Sequence, residues 1–157
     1  MKITLILVGK TTDKNLSALL DIYFKRLQHY VRFETIVIPD LKNTKKQSET
    51  VQKELEGQQV LHKLQASDTL VLLDENGKTF TSPAFSEWLQ KQMNAGTRNL
   101  CFVVGGPYGF SQALYQRAQA KISLSKMTFS HQMVRLFFSE QLYRAFTILN
   151  NEPYHHE

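Results

Sequence analysis

Three glycines in five residues, Gly105-Gly106-Pro107-Tyr108-Gly109, follow the apolar run Asn99–Val104. Glycines let a ligand lie against bare backbone, and proline stiffens the turn between them. The spacing is not G-x-G-x-x-G, because Pro107 and Tyr108 break it, and no Lys-Ser/Thr pair of a P-loop follows. A dinucleotide or a nucleoside triphosphate is therefore not the expected ligand. A tight turn that binds nothing is the alternative. Downstream, Leu124-Ser125-Lys126-Met127-Thr128-Phe129 sets apolar Leu124, Met127 and Phe129 beside the hydroxyls of Ser125 and Thr128. Apolar walls with a few polar groups suit a flat heteroaromatic ring such as adenine. A buried connection packed on the core would give the same pattern.

A second set of reactive residues lies further on. His131 and Arg135 are four apart and share a helix face. His131 reads equally as a ligand contact or as a cap on the helix start. Arg144 sits in a mostly apolar stretch and needs a partner, either Glu140 one turn earlier or an external phosphate. Beyond the last apolar helix residue, Leu149, comes the tail 151–157 with Pro153-Tyr154-His155-His156. Tyrosine can stack on a base, and histidine can accept a proton near neutral pH. The tail reads either as a frayed flexible end or as a flap that orders on substrate. No metal is expected: the histidines show no ligand spacing with Cys101 or with carboxylates.

The elements that must position these groups alternate along the chain. Apolar β-branched runs place strands at Ile3–Val8, Phe33–Ile38, Thr69–Leu73, Asn99–Val104 and Lys121–Leu124. Helical periodicity and capping residues place helices from Leu16 to Leu27, from Ser48 to about Leu64, from Ser82-Pro83 to Met93, over Gln112–Gln119 behind Ser111, and over His131–Leu149. Asp74–Lys78, with Asn76-Gly77, reads as a turn, and Leu41–Gln47 as a mobile lysine-rich loop. Alternating strands and helices imply an α/β fold: one parallel sheet with helices on both faces. No composition break divides the 157 residues, so a single domain over 1–157 is expected.

Composition narrows the partners. Apolar residues at 42% and charged residues at 21% are ordinary for a globular protein. No stretch reaches the roughly 18 apolar residues of a membrane span, and no membrane partner is expected. The segment Met1–Lys10 is too short and too soon charged for a secretion signal, so it reads as the first strand. The lone Cys101 excludes an internal disulfide and fits a buried thiol in a reducing cytoplasm. The net charge is +5, and it is uneven. Residues 1–76 carry a balance of +1, residues 77–151 a balance of +6 and the remainder −2. The excess lies in the half that holds the glycines, which fits an anionic partner such as RNA, with a merely basic surface as the alternative.

Taken in order, several segments resemble the SPOUT class of RNA methyltransferases, and within it the RlmH family. The resemblance runs through Met1-Lys2-Ile3 with Val8-Gly9-Lys10, Leu72-Leu73-Asp74 with Gly77-Lys78, and Val104-Gly105-Gly106 with Gly109. It continues through Leu124–Phe129, His131–Arg135, Glu140–Ala145 and Pro153-Tyr154-His155. One departure is Ser130, which stands where the family pattern has proline. The resemblance implies a C-terminal trefoil knot over about residues 100–150, and threaded chains are otherwise very rare. It implies S-adenosylmethionine as methyl donor, held by Leu73, Gly105 and the loop Leu124, Ser125, Lys126, Met127, Thr128 and Phe129. It further implies methylation at N3 of a pseudouridine in large-subunit ribosomal RNA, carried out by a homodimer on the ribosome. Within that frame His155, Tyr154 and Arg144 become the expected catalytic residues. Another RNA base, or a ribosome-binding module without catalysis, are the competing readings.

Overall fold

A computed structural model describes residues 1–41 and 48–156. The lysine-rich segment 42–47 and Glu157, the end of the expected tail, lie outside the described residues. The chain alternates as expected. In order come β1 (Lys2–Val8), α1 (Lys14–Leu27), β2 (Arg32–Ile38), α2 (Glu49–Leu61) and β3 (Thr69–Thr79). Then follow α3 (Ser82–Asn94), β4 (Asn99–Val104), α4 (Gln112–Arg117), β5 (Ala120–Ser123) and α5 (His131–Leu149).

The five strands form one sheet in the order β2-β1-β4-β3-β5, and every pairing is parallel. Parallel strands need covering on both faces, and the side-chain alternation provides for it. Ile3, Leu5 and Leu7 of β1 join Phe102 of β4 and Val71 of β3 on one face. There α3 and α5 bring Phe85, Leu89, Phe138 and Leu142 against them. Ile6 and Val8 of β1, Cys101 and Val103 of β4 and Leu70 and Leu72 of β3 point the other way, to Val60 of α2 and Leu114 of α4. Cys101 is the expected buried thiol, and burial pushes it up to about 12.

Each helix starts on a side-chain cap. Asp13, Ser48, Thr81, Ser111 and Ser130 accept the amide three residues on. The cap of α3 is thus Thr81 rather than Ser82, and the helix α4 stops two residues short of Gln119. The helix α5 has the expected bounds. Ser130, where the resemblance led to an expected proline, caps it, and its hydroxyl accepts from the Met133 amide at 3.2 Å.

One element differs in kind. The turn expected at Asp74–Lys78 lies inside β3, which runs on to Thr79. Asp74 does accept the Asn76 amide at 2.8 Å, so the local turn chemistry is present. The chain then rejoins β5: Leu73 and Lys78 both pair with Ile122, with a register shift between them. Gly77 makes the rejoining possible, because a Cβ there would fall 2.6 Å from the Ile122 backbone.

Candidate functional site

The carboxyl ends of β3, β4 and β5 open onto one cavity of about 650 Å³. This is where ligands bind in open α/β sheets, and the volume is that of a small-molecule site. Leu73 lines it from β3, Gly105 and its neighbours from the loop after β4, and Leu124, Ser125, Met127, Thr128 and Phe129 from the loop after β5. Lys126 belongs to the same loop but does not line the cavity; its side chain is exposed. Hydrogen bonds within the loop give it shape. Ser123 Oγ donates to the Ser125 carbonyl at 2.8 Å, and Ser125 Oγ accepts from the Met127 amide at 2.9 Å. Met127 is 74% exposed at the rim.

The glycine loop is shaped by close packing from behind. A Cβ on Gly105 would lie 3.0 Å from the Phe110 ring. A larger side chain there therefore meets Phe110 first, and reaches a ligand only by moving the loop. Gly109 has φ +81°, a conformation that L side chains rarely adopt. Tyr115 closes one wall, with its hydroxyl donating to Asp74. Burial first, and Asp74 second, push that phenol up to about 12.

Helix α5 begins at the same cavity. His131 lines it, while Ser130 performs the capping. Burial, then the charge of Arg135, pushes the His131 imidazole below its ordinary range. Arg135 is fully buried. Its guanidinium donates to the Val8 carbonyl at 2.8 Å, to Gly9 at 3.0 Å, to Thr11 Oγ1 at 3.0 Å and to His131 at 3.3 Å. It ties the end of β1 to the first turn of α5. The shared face expected for His131 and Arg135 thus divides its work: the histidine meets the cavity and the arginine fastens the helix.

The other expected residues gather elsewhere. Arg144 is thirteen residues beyond His131, or about 20 Å along α5. Its partner is Glu140, whose Oε1 accepts from Nε at 3.1 Å and Nη2 at 2.5 Å. The tail folds back onto this point. Tyr154 donates to the same Glu140 oxygen at 3.1 Å, packs edge-on against Tyr143 and lies under the Arg144 guanidinium. Arg144 Nη1 lies 3.3 Å from His155 Nδ1. Tyr30 donates to Glu152 at 2.6 Å and pins the start of the tail. Burial first, with Tyr23 and Glu140 beside it, holds the Tyr154 phenol well above its ordinary range. So Arg144, Tyr154 and His155 do come together, and Glu140 is the hub that joins them. The i, i+4 spacing to Arg144 signalled that pair; nothing in the sequence signalled Tyr154 as a third member. None of the four lines the cavity.

The geometry is thus a backbone-built cavity at one end of a long helix and a charged aromatic cluster near the other. Among the described residues no group of His, Cys, Asp and Glu could hold a metal ion, and no helix is long and apolar enough to cross a membrane.

Comparison with known proteins defines the class. A family profile described as "Predicted SPOUT methyltransferase" matches residues 1–155. The chain is 63% identical over 157 residues to the ribosomal RNA large subunit methyltransferase H of Flavobacterium johnsoniae, covering all of both chains. It is 64% identical over 156 residues to the protein of that name from Christiangramia forsetii, covering 99% of each, and 60% identical over 157 residues to that of Parabacteroides distasonis, covering all of both. The chain belongs to the SPOUT methyltransferases, in the RlmH family.

Proposed function

We propose that the protein transfers a methyl group from S-adenosylmethionine to N3 of a pseudouridine in large-subunit ribosomal RNA, acting as a homodimer on the assembled ribosome. One observation carries the reading. The glycine loop and the Leu124–Phe129 loop enclose one cavity, in a chain more than 60% identical to proteins named for methylating that RNA. The residues suit the donor. Glycine backbone and apolar Leu73, Leu124 and Phe129 form the walls, with the hydroxyls of Ser125 and Thr128 among them. When bound, the donor supplies an already activated methyl on a sulfonium, so the protein's main task is alignment.

The acceptor must lose its imide proton. Arg144 is placed to stabilise charge that builds on a ring carbonyl, and His155 to take the proton. Tyr154, with its phenol held high, serves as a hydrogen-bond donor and not as the base. Glu140 keeps all three in register. Since this cluster lies about 20 Å along α5 from the cavity, one chain cannot bring it to the methyl. A second copy can. Leu19 and Ile22 on α1 and Met133 and Phe137 on α5 are exposed apolar side chains that a partner would cover. The reading carries with it the family's C-terminal knot and a place in the cytoplasm with ribosomes.

The test uses ribosomes lacking the modification, the purified protein and donor with a labelled methyl group. Mass spectrometry of the nucleosides should show a methylated pseudouridine on ribosomes and far less on naked RNA. Label in another base, or none, would refute the assignment. Another base would favour a different SPOUT specificity, and donor binding without transfer a non-catalytic module.

A further inference from the structure

Two carboxylates are buried among the described residues, Glu56 and Asp68. Asp68 accepts from the Gln65 amide and from Asn99, whereas Glu56 keeps an oxygen with no partner. Glu56 lies on α2 and is 7% exposed. Its Oε1 accepts from Gln52 at 2.9 Å, while its Oε2 is buried and has no hydrogen-bond partner among the described residues. It presses on Gly106: a Cβ there would fall 2.9 Å from Oε2 and 3.2 Å from Oε1. The fit is fixed by the next residue, since a Cβ on Gly57 would fall 2.2 Å from Ser111 Oγ. Helix α2 is thus held tightly against the cap of α4 at Gly57 and against the glycine loop at Gly106. Gly106 itself lines the cavity. A buried carboxyl with an unpaired oxygen is unfavourable for folding. The bond from Gln52 uses only Oε1, so the packing of α2 leaves Oε2 without a role.

We propose that Glu56 distinguishes the cationic methyl donor from the neutral thioether left after transfer, by placing a carboxylate behind the one glycine that separates it from the cavity. The inference rests on the reading of the cavity as an S-adenosylmethionine site. Donor and product differ at sulfur by one methyl and one positive charge. A carboxylate in a poorly solvated position attracts the sulfonium and is indifferent to the thioether. Its attraction therefore favours loading before the reaction and release after it. Gly106 admits the carboxyl to this distance, so the glycine serves the acid behind it as well as the ligand in front. Burial, the largest cause, raises the carboxyl above its ordinary range. A cation nearby then draws out the proton. The charge that bears on it is that of Asp40 after β2, while Glu49 and Lys53 of its own helix and Asp74 and Glu75 of β3 line the cavity. The glycine loop contributes none.

Calorimetry with S-adenosylmethionine and S-adenosylhomocysteine tests this on the wild-type protein and on Glu56→Gln. The amide keeps the shape and the bond from Gln52. Donor affinity should fall about tenfold, equivalent to 1.4 kcal/mol, with product affinity changed by less than about twofold. Equal losses for both ligands, or no loss for either, would overturn the inference. Should the variant not fold, the wild-type protein decides. Donor binding should release more protons than product binding above the ordinary carboxylate range, where a raised carboxyl still holds its proton, and equal release would overturn it. A wild-type protein that binds neither ligand would instead refute the cavity assignment itself.

Discussion

The two ends of α5 solve different problems with different materials. At its start, the cavity is made of backbone: glycines, a hydroxyl-braced loop and a few apolar walls. Near its other end, the cluster of Glu140, Arg144, Tyr154 and His155 is made of side chains, which hold one another through a single carboxylate. A backbone site can recognise a ligand of fixed shape but has little to offer as acid or base. A side-chain cluster can move protons and meet phosphate, but it needs an acceptor brought to it. On the proposed function, donor recognition and chemistry are divided between the two ends, and the symmetry of a dimer would join them.

The largest expected effect breaks the side-chain end alone. Arg144→Ala should lower methyl transfer by roughly a hundred- to a thousandfold, with donor affinity unchanged by calorimetry. Gly105→Val does the reverse: it displaces Phe110 and the loop, so donor affinity should fall at least about tenfold. If the site is shared between copies, mixing the two inactive proteins should restore activity. Random exchange of subunits makes half the molecules mixed, each with one intact site, so recovery should approach about a quarter of the wild-type rate. No recovery after demonstrated exchange would mean that each chain completes its own site, and the 20 Å separation would then need a large movement.

The next effect sharpens the role of the tail. Removing Pro153–Glu157 should lower methyl transfer by about a hundredfold or more, the scale of a lost acid–base group. Donor binding should not change. Stability should fall by about 1–3 kcal/mol, because the edge-on pair of Tyr143 with Tyr154, the Tyr154 bond to Glu140 and the Arg144 contacts with Tyr154 and His155 are lost together. Thermal unfolding checks this. His155→Ala tests the proton step: raising the pH should partly restore its rate if His155 takes the N3 proton, since the imide then ionises unaided. A flat pH profile would leave His155 with a positioning role only.

These expectations also mark what the sequence could tell. Strands and helices were legible because apolar β-branched runs and capped amphipathic segments alternate, and α5 was found with its exact bounds. The end of β3 was not. Asn76-Gly77 is a true local turn signal, yet the chain resumes pairing at Lys78 because Gly77 can touch the Ile122 backbone. Local patterns cannot reveal contacts of that kind. That the loop after β5 would line a cavity was legible from its mixture of apolar and hydroxyl residues, with Lys126 as the member that turns away. The docking of the tail was not, because polar composition predicts a free end and says nothing of Glu140 waiting on another turn of helix. The burial of Glu56 was equally hidden. It stands in a helix of Glu, Gln and Lys, where an acid reads as solvated surface.

A smaller effect probes the backbone end. Gly77→Ala places a methyl 2.6 Å from backbone that cannot yield cheaply. It should cost about 1–3 kcal/mol of stability by overpacking. It should also weaken donor binding, because Leu73 on one side of the irregularity and Ile122 on the other both line the cavity. The same substitution should leave the geometry around Glu140 untouched, and a tyrosine fluorescence signal from Tyr154 should not move. A change there would show that the two ends are coupled through α5 and not independent.

The smallest effect concerns the cost of keeping an acid at the backbone end. The ordinary value for Glu56 is 4.5, and burial raises it in the folded chain. The folded state therefore holds this proton more tightly than the unfolded state. By linkage, the contribution to stability is complete below about pH 4.5, where both states are protonated, and it is lost as the pH rises through the folded value. Above that range the folded protein carries a poorly solvated charge that the unfolded chain does not. Glu56→Gln removes that charge and keeps the bond from Gln52. It should raise the melting temperature by a few degrees at neutral pH and by progressively less as the pH is lowered toward 4.5. Thermal scans of both proteins across that range give the comparison. A variant less stable than wild type at neutral pH, with no convergence in acid, would mean that the carboxylate stabilises the fold. The charge would then belong to the architecture of α2, and the calorimetric selectivity between donor and product would be the only remaining ground for giving it a part in binding.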